Sequence, residues 1–156
     1  MLAKTLPKRR RLRLVVLNDS ARVLKMLCDW LQRQGHHCDT ALLADMPKAH
    51  EEVGRFILKH RPDVVIYDVG MPYVSSWDLL EVIRTSPALQ SQPFVITTPN
   101  KRKLEEAVGL TSALEIGGRE EDLRRVSKAV EAAKGAPEHM WPASLPLHAV
   151  NPCVIY

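Results

Sequence analysis

Long apolar runs are missing from this chain, and none approaches the length of a membrane span. No secretory leader is expected from MLAKTLPKRRRLRLVV: the apolar residues after its basic stretch are too few for one and are broken at once by Asn18 and Asp19. Cysteine is scarce. Cys28, Cys38 and Cys153 show no CxxC or metal-type spacing and are too few for a disulfide framework, which agrees with a reducing compartment, so the cytoplasm is the expected location. There is no Gly-rich phosphate loop, since Gly117-Gly118 is too short a cluster. Nor is there a solenoid-type repeat. His36 and His37 follow a helix stop with no partners at ligand spacing and read as exposed turn residues.

The net charge of +4 hints at nucleic acid until it is localised. Lys4, Lys8, Arg9, Arg10, Arg11 and Arg13 occupy the first 17 residues with no acid among them, leaving 16 basic against 18 acidic residues in the remainder. The basicity belongs to an arm, and the body of the chain is mildly acidic. Such an arm can make salt-sensitive contacts with phosphates, but it is more often solvated, so specific nucleic-acid binding is not expected.

At 156 residues the chain is long enough for one domain with its own core. The stretch that organises it is PDVVIYDVGMP, from Pro62 to Pro72. Val64, Val65, Ile66 and Tyr67 form a continuous apolar run suited to a strand buried on both faces of a parallel sheet, and the run stops at Asp68. Around it the same alternation repeats. Leu12 to Leu17 reads as a first strand, Ser20 as the cap of a helix over 21–34 stopped by Gly35, and Cys38 to Leu43 as a second strand. Asp45 is the expected cap of a second helix with Pro47 in its first turn, ending before Pro62, and Ser75 or Ser76 the start of a third helix that leaves at Pro87. Phe94 to Thr97 gives a fourth strand with Thr98 at its tip, Lys101 to Val108 a weak helix, Ala113 to Ile116 a fifth strand, and a final helix ends near Gly135. Five alternations imply right-handed crossovers and parallel pairing: an α/β, doubly wound five-stranded sheet in a flavodoxin-like three-layer sandwich. The expected divisions are a basic arm at 1–11, the domain at 12–135 and a Pro-rich apolar tail at 136–156. The tail has no helical periodicity to build an output domain, and packing back on the domain is the favoured reading.

Strands one, three and four would deliver Asn18, Asp19, Asp68 and Thr98 to one edge of the sheet. If the first and third strands lie side by side, two carboxylates and an amide converge in a crevice, where a hard divalent cation such as Mg2+ would offset their repulsion.

The blocks LRLVVLNDS, PDVVIYDVGMP and PFVITT resemble the first, third and fourth strand motifs of bacterial two-component response-regulator receiver domains, over roughly residues 12–134. The resemblance implies that Asp68 takes a phosphoryl group from a histidine kinase or phosphotransfer protein. It implies further that Mg2+ sits on Asp19, Asp68, the Gly70 carbonyl and, through water, Asn18. Thr98 would hydrogen-bond the phosphoryl group and shift on activation. Such a protein is a phosphoacceptor that at most assists its own phosphorylation and dephosphorylation, not an enzyme with a separate substrate. It would signal to a downstream protein and could pair with a second copy through its fourth helix to fifth helix face.

Several positions depart from the family pattern. Asn18 replaces the first of two acids. Ile116 stands where the family places a Lys at the tip of the fifth strand, and no Lys lies between Lys103 and Lys128. Ala113 stands in place of the aromatic switch residue, and Ser75-Ser76 in place of Asp-Gly. Lys101, or failing it Arg119, is the candidate to reach the phosphoryl site from a loop. The alternative is a pseudo-receiver that keeps the fold and binds partners without phosphorylation.

Overall fold

A computed structural model describes residues 10–46 and 49–135. Most of the basic arm, Pro47 and the apolar tail lie outside the described residues. Five strands run β1 (Arg13–Asn18), β2 (His37–Leu42), β3 (Val64–Asp68), β4 (Phe94–Thr98) and β5 (Leu114–Glu115). Between and after them come α1 (Ala21–Arg33), α2 (Ala49–His60), α3 (Tyr73–Thr85), α4 (Lys101–Val108) and α5 (Glu120–Gly135). All strands pair in parallel, in the order β2-β1-β3-β4-β5. The chain goes from β1 outward to β2 and then back across β1 to β3, so the direction of winding reverses between β1 and β3. A crevice opens at the carboxyl ends of strands at such a point.

The continuous apolar runs are explained by burial on both sides. Val15, Leu17, Val65, Tyr67, Phe94 and Ile96 point to one face and pack with Val53, Ile57, Leu80, Ile83 and Leu104 of α2, α3 and α4. Leu14, Val16, Val64, Ile66 and Val95 point to the other and pack with Leu24, Leu27, Leu31, Val126 and Val130 of α1 and α5. Successive strand residues thus alternate between two cores. Trp30 lies between α1 and α5, where its Nε1 donates to Ser127 Oγ at 2.8 Å. Helix ends follow local chemistry: the Ser20 hydroxyl accepts from Val23 N, Asn100 Oδ1 accepts from Lys103 N, and Gly109 takes the left-handed φ of 73° that closes α4.

Four details differ from the sequence expectations. First, α3 begins at Tyr73, not at Ser75 or Ser76, because the Pro72 carbonyl accepts from Ser76 N and Tyr73 is drawn against the core. Second, Asp45 closes a short 3-10 turn, Leu43–Asp45, so it does not cap α2, which starts at Ala49; Leu43 and Met46 pack inward from that turn. Third, β5 is two residues long. It is an edge strand, and Gly117 N turns away from the ladder to the Asp122 carboxylate at 2.9 Å. Fourth, His36 is buried: its Nδ1 accepts from Leu12 N at 3.1 Å, satisfying an amide just before β1. His37 is exposed, with Nε2 3.2 Å from Asp39 Oδ2.

Candidate functional site

The site is built on the carboxyl ends of β1, β3 and β4. Asp68 ends β3 and is 7% exposed. Its strand neighbours fix its height: Leu17 of β1 pairs with Tyr67, and Thr97 of β4 pairs with Asp68 itself. By alternation Asp68, Thr97 and Asn18 all fall on the α1 and α5 side of the sheet, whereas Thr98 falls on the α4 side.

The Thr97 hydroxyl donates to Asp68 Oδ1 at 2.8 Å. Sequence reading passed Thr97 over in favour of Thr98; the signal available was strand parity, which puts the residue paired with Asp68 on its side of the sheet. Thr98 is also fully buried, but its hydroxyl donates to the Val69 carbonyl at 2.8 Å. Its partner is therefore the backbone immediately after Asp68, not the Asp68 carboxylate.

Asn18 is buried, and its Oδ1 accepts from Ser20 N at 2.9 Å, an Asx turn that leads the chain off β1 into α1. Asp19 is exposed beside the crevice, and its charge acts on Asp68. Burial, helped by the Asp19 charge, pushes the Asp68 pKa up to about 6 against the lowering effect of the Thr97 hydrogen bond. Gly70 is buried, and a Cβ there would lie in van der Waals contact 3.7 Å from Asp68 Oδ2, so glycine leaves that side of the carboxylate free of a side-chain contact. The Tyr67 hydroxyl is buried with no hydrogen-bond partner among the described residues. Burial, then Asp19 and Asp68, raise its pKa, so it too lies in the field of the acidic pair.

The acidic pair suits a hard cation, because the Asp19 charge acts on the buried Asp68 carboxylate and a positive ion between them would offset that repulsion. No group of three or more His, Cys, Asp or Glu that could hold a metal occurs among the described residues. A cation that keeps several of its waters fits two carboxylates better than an all-protein cage would.

The other candidates lie further along the rim. Lys101 is the first residue of α4, half-buried, and makes no ion pair among the described residues. Arg119 has its guanidinium 3.6 Å from Asp122 Oδ1. Asp122 is buried and accepts from Gly117 N and Arg119 N, which outweighs its burial and holds its carboxyl below the usual range. Asp122, unremarked in the sequence, thus organises the loop after β5. Ile116 is buried in the apolar cluster on the α1 and α5 side, and Ala113 in the cluster opposite.

No protein-family model matches the sequence. No curated protein matches it either. Solved structures do. The chemotaxis response regulator CheY4 of Vibrio cholerae is 25% identical, with a TM-score of 0.57, over 78% of this chain and 99% of that one. A putative response regulator from Chloroflexus aurantiacus is 24% identical, with a TM-score of 0.57, over 79% and 99%. The response regulator TrrA from Thermotoga maritima, solved in complex with Mg2+-BeF, is 21% identical, with a TM-score of 0.54, over 74% and 96%.

Proposed function

We propose, from the premise that this chain has the receiver fold of the response regulators, that it takes a phosphoryl group on Asp68 and signals by contact with another protein. The observation that carries the reading is Asp68 itself. It is a buried carboxylate at the switch point of the sheet, with Asp19 beside it and one side kept open by Gly70. Attack on a phosphoryl phosphorus brings two anions together, so the acceptor needs its charge offset at the moment of transfer. Asp19, Asp68, the Gly70 carbonyl and, through water, Asn18 would hold Mg2+ there. The ion when bound supplies charge neutralisation and alignment of the phosphoryl oxygens. Thr98 would release the Val69 carbonyl and turn to the phosphoryl group, a discrete rearrangement that repacks the α4 side.

The donor in this reading is a phosphohistidine on a kinase or phosphotransfer protein, the readout is a downstream protein, and the α4 to α5 face is available for a second copy. No helix among the described residues is long and apolar enough to cross a membrane, and a cytoplasmic site of action follows from the partners proposed. A second reading has one observation in its favour: Ile116 is buried in apolar surroundings where the resembled family carries its Lys, so a phosphorylation-independent binding module remains as rival. Beryllofluoride with Mg2+ separates them. Under the first reading it perturbs Trp fluorescence and the amide spectrum of residues around Asp68; a spectrum unchanged at saturating beryllofluoride would favour the rival.

A further inference from the structure

We propose that Thr97 is a positioning residue for the phosphoacceptor, its hydroxyl holding the Asp68 carboxylate where no fifth-strand ammonium can. The proposal rests on the phosphoacceptor reading of Asp68 and adds what governs its rate.

The geometry is direct. Thr97 and Asp68 are direct partners in the parallel ladder, both are buried, and the hydroxyl to Oδ1 distance is 2.8 Å. An ionised carboxylate can only accept, so the hydroxyl is the donor. The backbone beneath is fixed as well, since Val69 N donates to the Thr97 carbonyl at 2.8 Å. With Oδ1 held, the carboxylate plane is set, and Oδ2 is left toward Gly70, where no side chain intrudes. Thr98 does not do this in the structure described, where its hydroxyl lies on the opposite face and donates to the Val69 carbonyl.

The β5 side supplies no alternative. Ile116 is buried and apolar, and the Arg119 guanidinium is drawn to Asp122. A hydroxyl replaces orientation but not charge. In transfer, an Asp68 oxygen forms the O–P bond as the donor's P–N bond breaks and the donor nitrogen leaves with the electron pair; Thr97 keeps its proton throughout. Its contribution is to present the carboxylate in one orientation, so it acts on the rate of the bound complex more than on donor affinity.

The test uses the full chain with phosphoramidate and Mg2+, following phosphorylation by intact mass at a series of donor concentrations. Thr97→Val keeps the shape and removes the hydroxyl, and it is expected to lower the maximal rate about tenfold with little change in half-saturating donor. Thr97→Ser is expected to stay within about threefold of the wild type. Mg2+ affinity, read by Trp fluorescence, should be the same in all three. A wild-type rate in Thr97→Val, a Ser variant as slow as Val, or a Mg2+ affinity falling in step with the rate would each overturn the proposal. If Thr97→Val loses the native amide spectrum, Thr97→Ala under the same readouts takes its place. A wild-type chain that takes no phosphoryl group would sink the phosphoacceptor reading itself, whereas phosphorylation that ignores Thr97 sinks only this inference.

Discussion

On the β1 and β3 side of the strand-tip rim stand Asp19, Asp68 and Gly70, two acids and a glycine at the carboxyl ends of the strands. On the β4 and β5 side stand Thr97, Ile116 and a loop folded back on Asp122, with no cation facing the acceptor from Arg119 or Ile116. On the proposed reading the first half carries the groups that would bind a cation and attack phosphorus. The second offers a neutral donor, Thr97, and a buried apolar side chain, Ile116. If that reading holds, nucleophile and counter-charge are separable, and the second half would set how fast the group is taken up and how long it is held.

The largest effect should come from the first half. Asp68→Asn is expected to abolish phosphoryl uptake from phosphoramidate, read by intact mass; uptake persisting at the wild-type rate would move the acceptor elsewhere. Asp19→Asn removes one of the two charges on the cation and is expected to weaken Mg2+ binding by about 2 kcal/mol, roughly thirtyfold in Kd by fluorescence titration. An unchanged affinity would place the cation away from this crevice.

The second half can be rebuilt. Ile116→Lys returns an ammonium to the tip of β5, and phosphorylation is expected to speed up about tenfold if the long side chain reaches Asp68 across Thr97. An unaltered rate together with a native amide spectrum would mean that the ammonium does not reach the acceptor. Lys101→Ala should change the phosphoryl lifetime less than about threefold, as expected for a half-exposed charge screened by salt. A larger change would make Lys101 the missing counter-charge and redraw the comparison.

The uncompensated acceptor also has a stability signature without metal. Its folded pKa of about 6 exceeds the usual carboxylate value, so the native state binds the proton more tightly than the unfolded one and loses stability as pH rises through the window between them. Above that window the penalty is constant, on the order of 2–3 kcal/mol. In chelator at pH 8, Asp68→Asn is expected to raise Tm, and the gain should vanish near pH 4. A gain independent of pH would assign it to packing rather than to the buried charge.

How far the site was legible varies residue by residue. Asp68 stood out because an apolar run ends at it, and Asp19 because it closes another; both inferences need only local pattern. His36 and Thr97 did not. A lone His after a helix stop gives no sign that a strand amide 24 residues away will meet its Nδ1. Of two adjacent threonines, neither announces which one faces the acceptor. Asp45 and the Ser75-Ser76 pair misled because cap residues are common also where packing starts the helix elsewhere.

By itself, then, the sequence determined the layers and the order of elements. Runs of apolar residues buried on both faces, alternating with amphipathic stripes, leave little choice but a parallel sheet covered on two sides. The partnership of Thr97 with Asp68, the diversion of Thr98 to the Val69 carbonyl and the retreat of the β5 loop to Asp122 were decided only in three dimensions. Each depends on strand register, and a slip of one residue between β3 and β4 would send the other threonine to the acceptor.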